Sequence, residues 1–309
     1  MSSTDATAGP ELRLRARRRR VGEDVVKGVL AVCALISVAT TVGIVVALFV
    51  PAIEFFAEIS IVDFLTGTEW APLFEPAHFG VVPLIGGTLL VTAIASAVAM
   101  PFGLGAAIYL SEYASPRLRG ILKPAFEMLA GIPTIVFGYF ALTFVTPLMR
   151  DLGLGVEIFN TLSAGLVIGV MLIPTVASLS EDAMGAVPRD LRDGAYALGS
   201  NKVQVATRIV VPAAVSGIIA SFVLAISRAV GETMIVLVAM GQQPNLTFDP
   251  REAAEAMTAY IAATGAGDVP TGSLEYKTIF AVGATLFVLT LVMNVVAIRL
   301  VRRYREVYE

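Results

Sequence analysis

Six blocks of apolar residues, at about 26–50, 83–110, 121–148, 161–180, 213–240 and 277–300, are each long enough to cross a bilayer. A transmembrane helix needs roughly 20 predominantly apolar residues. Inside hydrocarbon every backbone N–H and C=O must find its partner within the protein, so such blocks fold as helices. Composition agrees: 56% of the residues are hydrophobic and 15% are charged, against roughly half and a quarter in soluble domains. The chain is therefore expected to be an all-α integral membrane protein with six transmembrane helices. Cys33, the one cysteine, lies inside the first block, so no disulfide closes within the chain. His78 is the only histidine, which removes most His-based catalysis and Cys/His metal chemistry.

The first block follows the basic stretch RLRARRRR. It is too long for the apolar region of a signal peptide and no convincing small-residue cleavage site follows, so it reads as an uncleaved helix. Lysines and arginines set the orientation. They gather in the N-terminal tail (six arginines from Arg13 to Arg20), in 111–120 (Arg117, Arg119, with Lys123 just beyond), in 181–212 (Arg189, Arg192, Lys202, Arg208) and at the C-terminus (Arg299, Arg302, Arg303, Arg305). The alternate connections are poor in basic residues: 51–82 holds Glu54, Glu58, Asp63, Glu69 and Glu75 with no lysine or arginine, 149–160 holds only Arg150, and 241–276 holds only Arg251 against five carboxylates. Both termini are expected in the cytoplasm. The implied organisation is a basic tail over 1–25, a first helix with its outside loop over 26–82, a transmembrane core over 83–301 and a cytoplasmic end over 302–309. In the outside loops, FFAEISIVDFLTG and EAAEAMTAYIAA carry apolar residues at helical spacing. They suit short helices on the membrane surface or helices packed on the ends of the bundle.

The longest cytoplasmic connection reads EDAMGAVPRDLRDGAYALGSNKVQVATRIVVPAA, residues 181–214. Pro188 suits a first helical position and Gly199 a helix stop. Ser200 can cap a second helix that ends before Pro212. Leu191, Ala195 and Leu198 fall on one face of the first piece; Val203, Ala206 and Val210 share a face of the second. The expected product is a helix–turn–helix along the membrane, with small residues where another surface can approach. The plain alternative is a generic amphipathic hairpin.

The loop resembles the EAA loop of bacterial ABC importer permeases, whose pattern is E-A-A-x3-G-x9-I-x-L-P. Here Asp193-Gly194-Ala195, Gly199, Ile209 and Pro212 stand at matching spacing, with Asp and Gly for the first Glu and Ala, and Val211 for Leu. The resemblance implies that Asp193, Gly194, Ala195, Tyr196, Ala197, Leu198, Gly199, Ile209 and Pro212 dock into a groove on a separate ATPase subunit. The chain has no G-x-x-x-x-G-K-[ST] stretch, so it has no Walker-type site of its own. Catalytic residues and cofactors are expected to be absent, with ATP and magnesium on the partner.

One apolar block carries two charges. In ISRAVGETM, Arg228 and Glu232 stand four residues apart, and each charge in a span costs roughly 2.5–3.5 kcal/mol on insertion scales. On a continuous helix the two share one face. A self-neutralising ion pair that fixes packing is one explanation. The other is use, because apolar residues would pack there without the desolvation cost. Arginine stays charged and presents a planar fork of donors suited to oxyanions, and a neighbouring glutamate would temper its grip.

The string SRAVGETM resembles the Arg-Ala-x-Gly-Glu-Thr segment in the fifth helix of phosphate ABC transporter permeases. FLTGTEWAP, AGIPTIVFGYFAL and LFVLTLVMNVVAIRLVRR are similar to the PstC-type subunit. The resemblance covers roughly residues 30–305. It implies a type I ABC importer fold in a bacterial inner membrane, with Arg228, Glu232 and Thr233 on the substrate path. It also implies a PstA-type sister permease, a PstB-type ATPase dimer and a PstS-type phosphate receptor. An ABC permease for another oxyanion such as sulfate or molybdate, or a proton-coupled carrier using Glu232, remain as alternatives.

Overall fold

The computed structural model describes residues 21–303; the arginine-rich tail before Val21 and the end from residue 304 lie outside the described residues. Residues 21–47 and 48–303 form two compact units. The first unit is the leading part of α1 (Val21–Glu58). Val25, Leu30, Leu35, Val42 and Val46 are all exposed. A helix that is apolar all round needs lipid or protein as its cover.

In the second unit, α2 (Ile61–Thr66) starts at Ser60, whose hydroxyl accepts from the Asp63 N–H at 3.5 Å. Two-residue strands β1 (Trp70–Ala71) and β2 (His78–Phe79) pair antiparallel. Next come α3 (Val82–Ile108), with a π-helical turn at Tyr109–Tyr113, then α4 (Pro116–Ala130) and α5 (Thr134–Phe140). A π-helical turn at Ala141–Val145 joins α5 to α6 (Thr146–Asp151). After α7 (Thr161–Gly185) the hairpin is built from α8 (Arg189–Ala197), α9 (Lys202–Val205), a third π-helical turn at Ala206–Val210, and α10 (Val211–Ala213). The chain closes with α11 (Val215–Val230), a π-helical turn at Val236–Met240, α12 (Met257–Ala266) and α13 (Leu274–Arg303).

Four stretches are single helices long and apolar enough to span: Glu23–Glu58, Val82–Tyr113, Thr161–Gly185 and Leu274–Arg299. Two further stretches are bent helix pairs, and counting each pair as one span gives up to six. The expected helix over 121–148 is not one element. The chain breaks at Gly131–Pro133, and the segments Pro116–Ala130 and Thr134–Asp151 diverge by 86°. Pro133 has no N–H to donate and disfavours helical backbone at Ile132, so the turn falls where the sequence forces it. The expected helix over 213–240 is also divided. It stops at Val230 and resumes at Met234, and at its start Val215–Val230 is bent by 72° from the preceding Lys202–Ala213.

The central pair is α3 and α7. Gly165 and Gly169, one turn apart on α7, face α3 so closely that a Cβ on either would lie 2.7 Å from the Cβ of Ile94 or Val98. Small residues bring membrane helices into backbone contact, where van der Waals packing holds them without a hydrophobic driving force. Val91, Ala95, Ala99, Ile168, Leu172 and Val176 fill the core around that seam. At the basic end of the bundle, Arg119 and Lys123 of α4 reach the fully buried Glu181 of α7, and Lys123 also pairs with Asp182 at 2.6 Å. At the acidic end, α12 packs into the bundle, with Met257, Thr258, Ala259 and Tyr260 buried. The segment EAAEAMTAYIAA thus caps the helices and does not lie flat in lipid.

Overpacking a tight seam costs about 1–3 kcal/mol. Gly169→Leu is expected to lower the midpoint of thermal unfolding in detergent, whereas Gly105→Ala, where a Cβ meets nothing within 4 Å, leaves it nearly unchanged.

Candidate functional site

The helix carrying Arg228 ends at Val230, and Gly231, Glu232 and Thr233 are non-helical before helical backbone resumes at Met234. Arg228 and Glu232 therefore do not share a helix face, and no ion pair within 4.0 Å joins them among the described residues. This corrects the expectation from their four-residue spacing. The Glu232 carboxylate is buried and turns along its own chain, where Oε1 accepts from the N–H groups of Met234 at 3.1 Å and Ile235 at 3.4 Å. Those N–H groups belong to the first turn of the resumed helix, where donors lack intrahelical partners and negative charge is favoured. The Glu232 carbonyl accepts from the hydroxyl of Thr258 on α12 at 2.7 Å. Thr233 Oγ1 donates to the Gly231 carbonyl at 3.2 Å.

Arg228 is half-buried and donates from Nη1 to Thr175 Oγ1 on α7 at 3.3 Å. A guanidinium carries five N–H donors, so most of this one's capacity is without a partner among the described residues. The arrangement is a cation inside the bundle whose nearby carboxylate is engaged by backbone. It suits a planar, charge-assisted grip on an oxyanion.

The second candidate region is the hairpin. Pro188, expected as the first helical residue, is the N-cap instead, and α8 begins one position later at Arg189. Gly199 ends the helix with φ +83°. Its N–H donates to the Tyr196 carbonyl at 2.9 Å, and that of Ser200 to the Ala195 carbonyl at 3.1 Å, a Schellman closure that favours glycine at the left-handed position. The cap of the second helix is Asn201, not Ser200: Asn201 Oδ1 accepts from the Gln204 N–H, and the Gln204 side chain accepts from the Asn201 N–H, both at 2.9 Å. The second piece does not stop before Pro212. It continues through the π-helical turn to Ala213, because a proline at the start of a new helical register loses no needed bond. Ala195, Val205 and Val210 are buried against Ala107, Met184 and Ile218. Ile209 packs against the same cluster, while Asp193, Gly194, Tyr196, Ala197 and Pro212 are exposed. Leu198 is 89% exposed, an apolar tip standing in front of the turn.

Residues 99–306 match the family of binding-protein-dependent transport system inner membrane components. The chain belongs to this family. It is 33% identical, over 90% of its length and 91% of the relative, to the "Probable ABC transporter permease protein YqgH" of Bacillus subtilis. Over 96% of its length and 92% of the relative, it is 30% identical to the "Phosphate transport system permease protein PstC" of Mesorhizobium japonicum. Identity to PstC 1 of Mycobacterium tuberculosis is 34%, with 78% and 81% of the two chains covered. The fold is that of type I ABC importer permeases. A bacterial ABC transporter involved in the import of the polysaccharide alginate superposes with a TM-score of 0.63, at 17% identity, over 93% of this chain and 100% of that one.

Within this permease frame, the structure adds residues that sequence reasoning missed. Arg192 of α8 donates to the carbonyls of Met184 and Val187 at 2.7 Å and pairs with Glu112 at 3.1 Å. It thereby binds the hairpin to the end of α7, where exposed carbonyls favour a cation, and to the end of the α3 span. Thr175 and Thr258 hold Arg228 and the Glu232 backbone from two other helices. Nothing in linear spacing marks these threonines. For Arg192, a basic residue at the head of the loop motif was a usable signal.

Removing a side chain that caps a helix start costs about 1 kcal/mol. Glu232→Ala is expected to lower thermal stability by about that amount, and Glu232→Gln, which keeps an acceptor oxygen, by much less. Equal losses for the two would show that the charge, and not the cap, holds the break.

Proposed function

We propose that this chain is the PstC-type membrane subunit of an ATP-driven importer of inorganic phosphate in a bacterial inner membrane, with its basic end in the cytoplasm. It pairs with a PstA-type sister permease, sits on a PstB-type ATPase dimer and receives phosphate from a PstS-type binding protein. Similarity to permeases named for phosphate, over three quarters or more of the chain, supports this reading. The single structural observation that carries it is Arg228, a cation with unfilled donors beside a break in a membrane span.

In this reading the loaded receptor docks on the acidic end while ATP closes the ATPase dimer beneath the hairpin. Closure pushes on the exposed Leu198 tip and on α8. Arg192 passes the displacement to the carbonyl end of α7 and to Glu112. α7 carries Thr175, the partner of Arg228, so the hairpin and the anion site share one rigid element. The phosphate passes Arg228 by exchanging hydration for guanidinium hydrogen bonds. Because Glu232 is engaged in capping, it tempers the site through its charge at a distance and does not form a competing pair.

Two outcomes test this. Arg228→Gln is expected to reduce phosphate uptake in proteoliposomes by at least 100-fold while complex assembly stays intact. Uptake at the normal rate would refute the assignment, and uptake competed equally by sulfate and molybdate would favour a general oxyanion permease. Leu198→Asp, a buried charge in the docked state, is expected to weaken ATPase association at least tenfold. Unchanged co-purification would place the contact elsewhere.

A further inference from the structure

At the acidic end of the bundle, the loop after β1 and the segment around α12 enclose a cavity of about 330 Å³, at the small end of the range for ligand clefts, about 300–1,000 Å³. Trp70, Phe74, Glu255, Tyr260 and Asp268 contribute to its lining. Two of these carry unmet polar capacity. Glu255 is 5% exposed, and its carboxylate has no hydrogen bond or ion pair among the described residues. The Trp70 indole N–H is buried without an acceptor. Among the described residues the Trp70 N–H alone is a buried side-chain polar atom without a partner, so the Glu255 oxygens, which make no bond, remain accessible; a carboxylate presented in this way is open to an incoming donor.

The surroundings specify the sign of what belongs there. Among the described residues the lining holds two carboxylates and no basic side chain. Basic groups nearby on this end are already engaged: Arg251 pairs with Asp249 at 2.5 Å, and Lys277 with Glu54 and Glu58 at 3.3 Å. Burial raises the Glu255 carboxyl to about 7, and an opposite charge brought within about 4–6 Å favours its ionised form. The aromatic walls formed by Trp70 and Tyr260, edge to face at 4.9 Å, also suit a cation. An acidic rim would repel free phosphate, so an anion importer with this surface gains from a basic partner that covers it during delivery.

We propose that this cavity is the docking socket for a lysine or arginine on a loop of the binding-protein partner. The basic side chain pairs with Glu255, beside the aromatic ring of Trp70. The proposal rests on the importer reading above. Its test titrates phosphate-loaded binding protein against the ATPase activity of the complete complex in proteoliposomes. Glu255→Gln is expected to raise the half-stimulating receptor concentration at least tenfold, with maximal rate and receptor-free ATPase unchanged. Glu255→Asp, which keeps the charge, recovers most of the wild-type value. A wild-type complex that phosphate-loaded receptor does not stimulate overturns the importer reading and the socket with it. Normal stimulation with an unshifted half-stimulating concentration in Glu255→Gln, or a loss of maximal rate alone, overturns the socket only. Gln removes a buried charge, so the fold of that variant is retained, and its melting temperature verifies this.

Discussion

A chain that leaves the α-helix inside a bilayer exposes N–H and C=O groups that water is not there to satisfy. At Gly231–Thr233 those groups are met from within the protein: the Glu232 carboxylate takes two N–H groups of the resumed helix, and Thr258 donates to the Glu232 carbonyl. The rest of the site depends on that local solution. It permits an unwound segment at membrane depth, separates Glu232 from Arg228, and leaves the arginine's donors for something else. Had the helix continued, the two charges would have met one turn apart and neutralised each other.

The same constraint explains why the break is tied to other elements. Thr258 comes from α12, which is buried at the acidic end of the bundle, and Thr175 comes from α7, the helix most closely seated on α3. α7 reaches at its other end to Glu181, held by Arg119 and Lys123, and to the carbonyls held by Arg192. One helix thus touches Arg228 along its length and the hairpin at its end. Glycines at 165 and 169 seat it against α3 at backbone distance, so displacement at the hairpin moves a packed unit and is not lost in side-chain rearrangement.

Much of this was legible in the sequence, for physical reasons. Apolar length marks spans because hydrocarbon admits little else, and Gly199 marked the hairpin turn because a left-handed residue favours glycine. The four-residue count from Arg228 to Glu232 misled, since it assumed continuous helix through Gly231, where apolar flanks hide the break. Pro212 read as a stop because the π-helical turn at Ala206–Val210 shifts the register by one residue, a change that a 3.6-residue period does not reveal. The third span carried its own signal in Gly131-Ile132-Pro133, but sequence could not distinguish a kink from an 86° turn. Tertiary partners such as Thr175 and Thr258 have no linear signature at all.

The most direct measurement of the central claim is water and anion access to the break itself. A single cysteine at Thr233, in a Cys33→Ser background of the assembled complex, can be titrated with a charged, membrane-impermeant thiol reagent across the transport cycle. The account predicts reaction from the aqueous side in at least one nucleotide state, slowed at least fivefold by saturating phosphate and not by chloride at equal ionic strength. A position that stays unreactive in every state, or that reacts at a rate indifferent to phosphate, would contradict it.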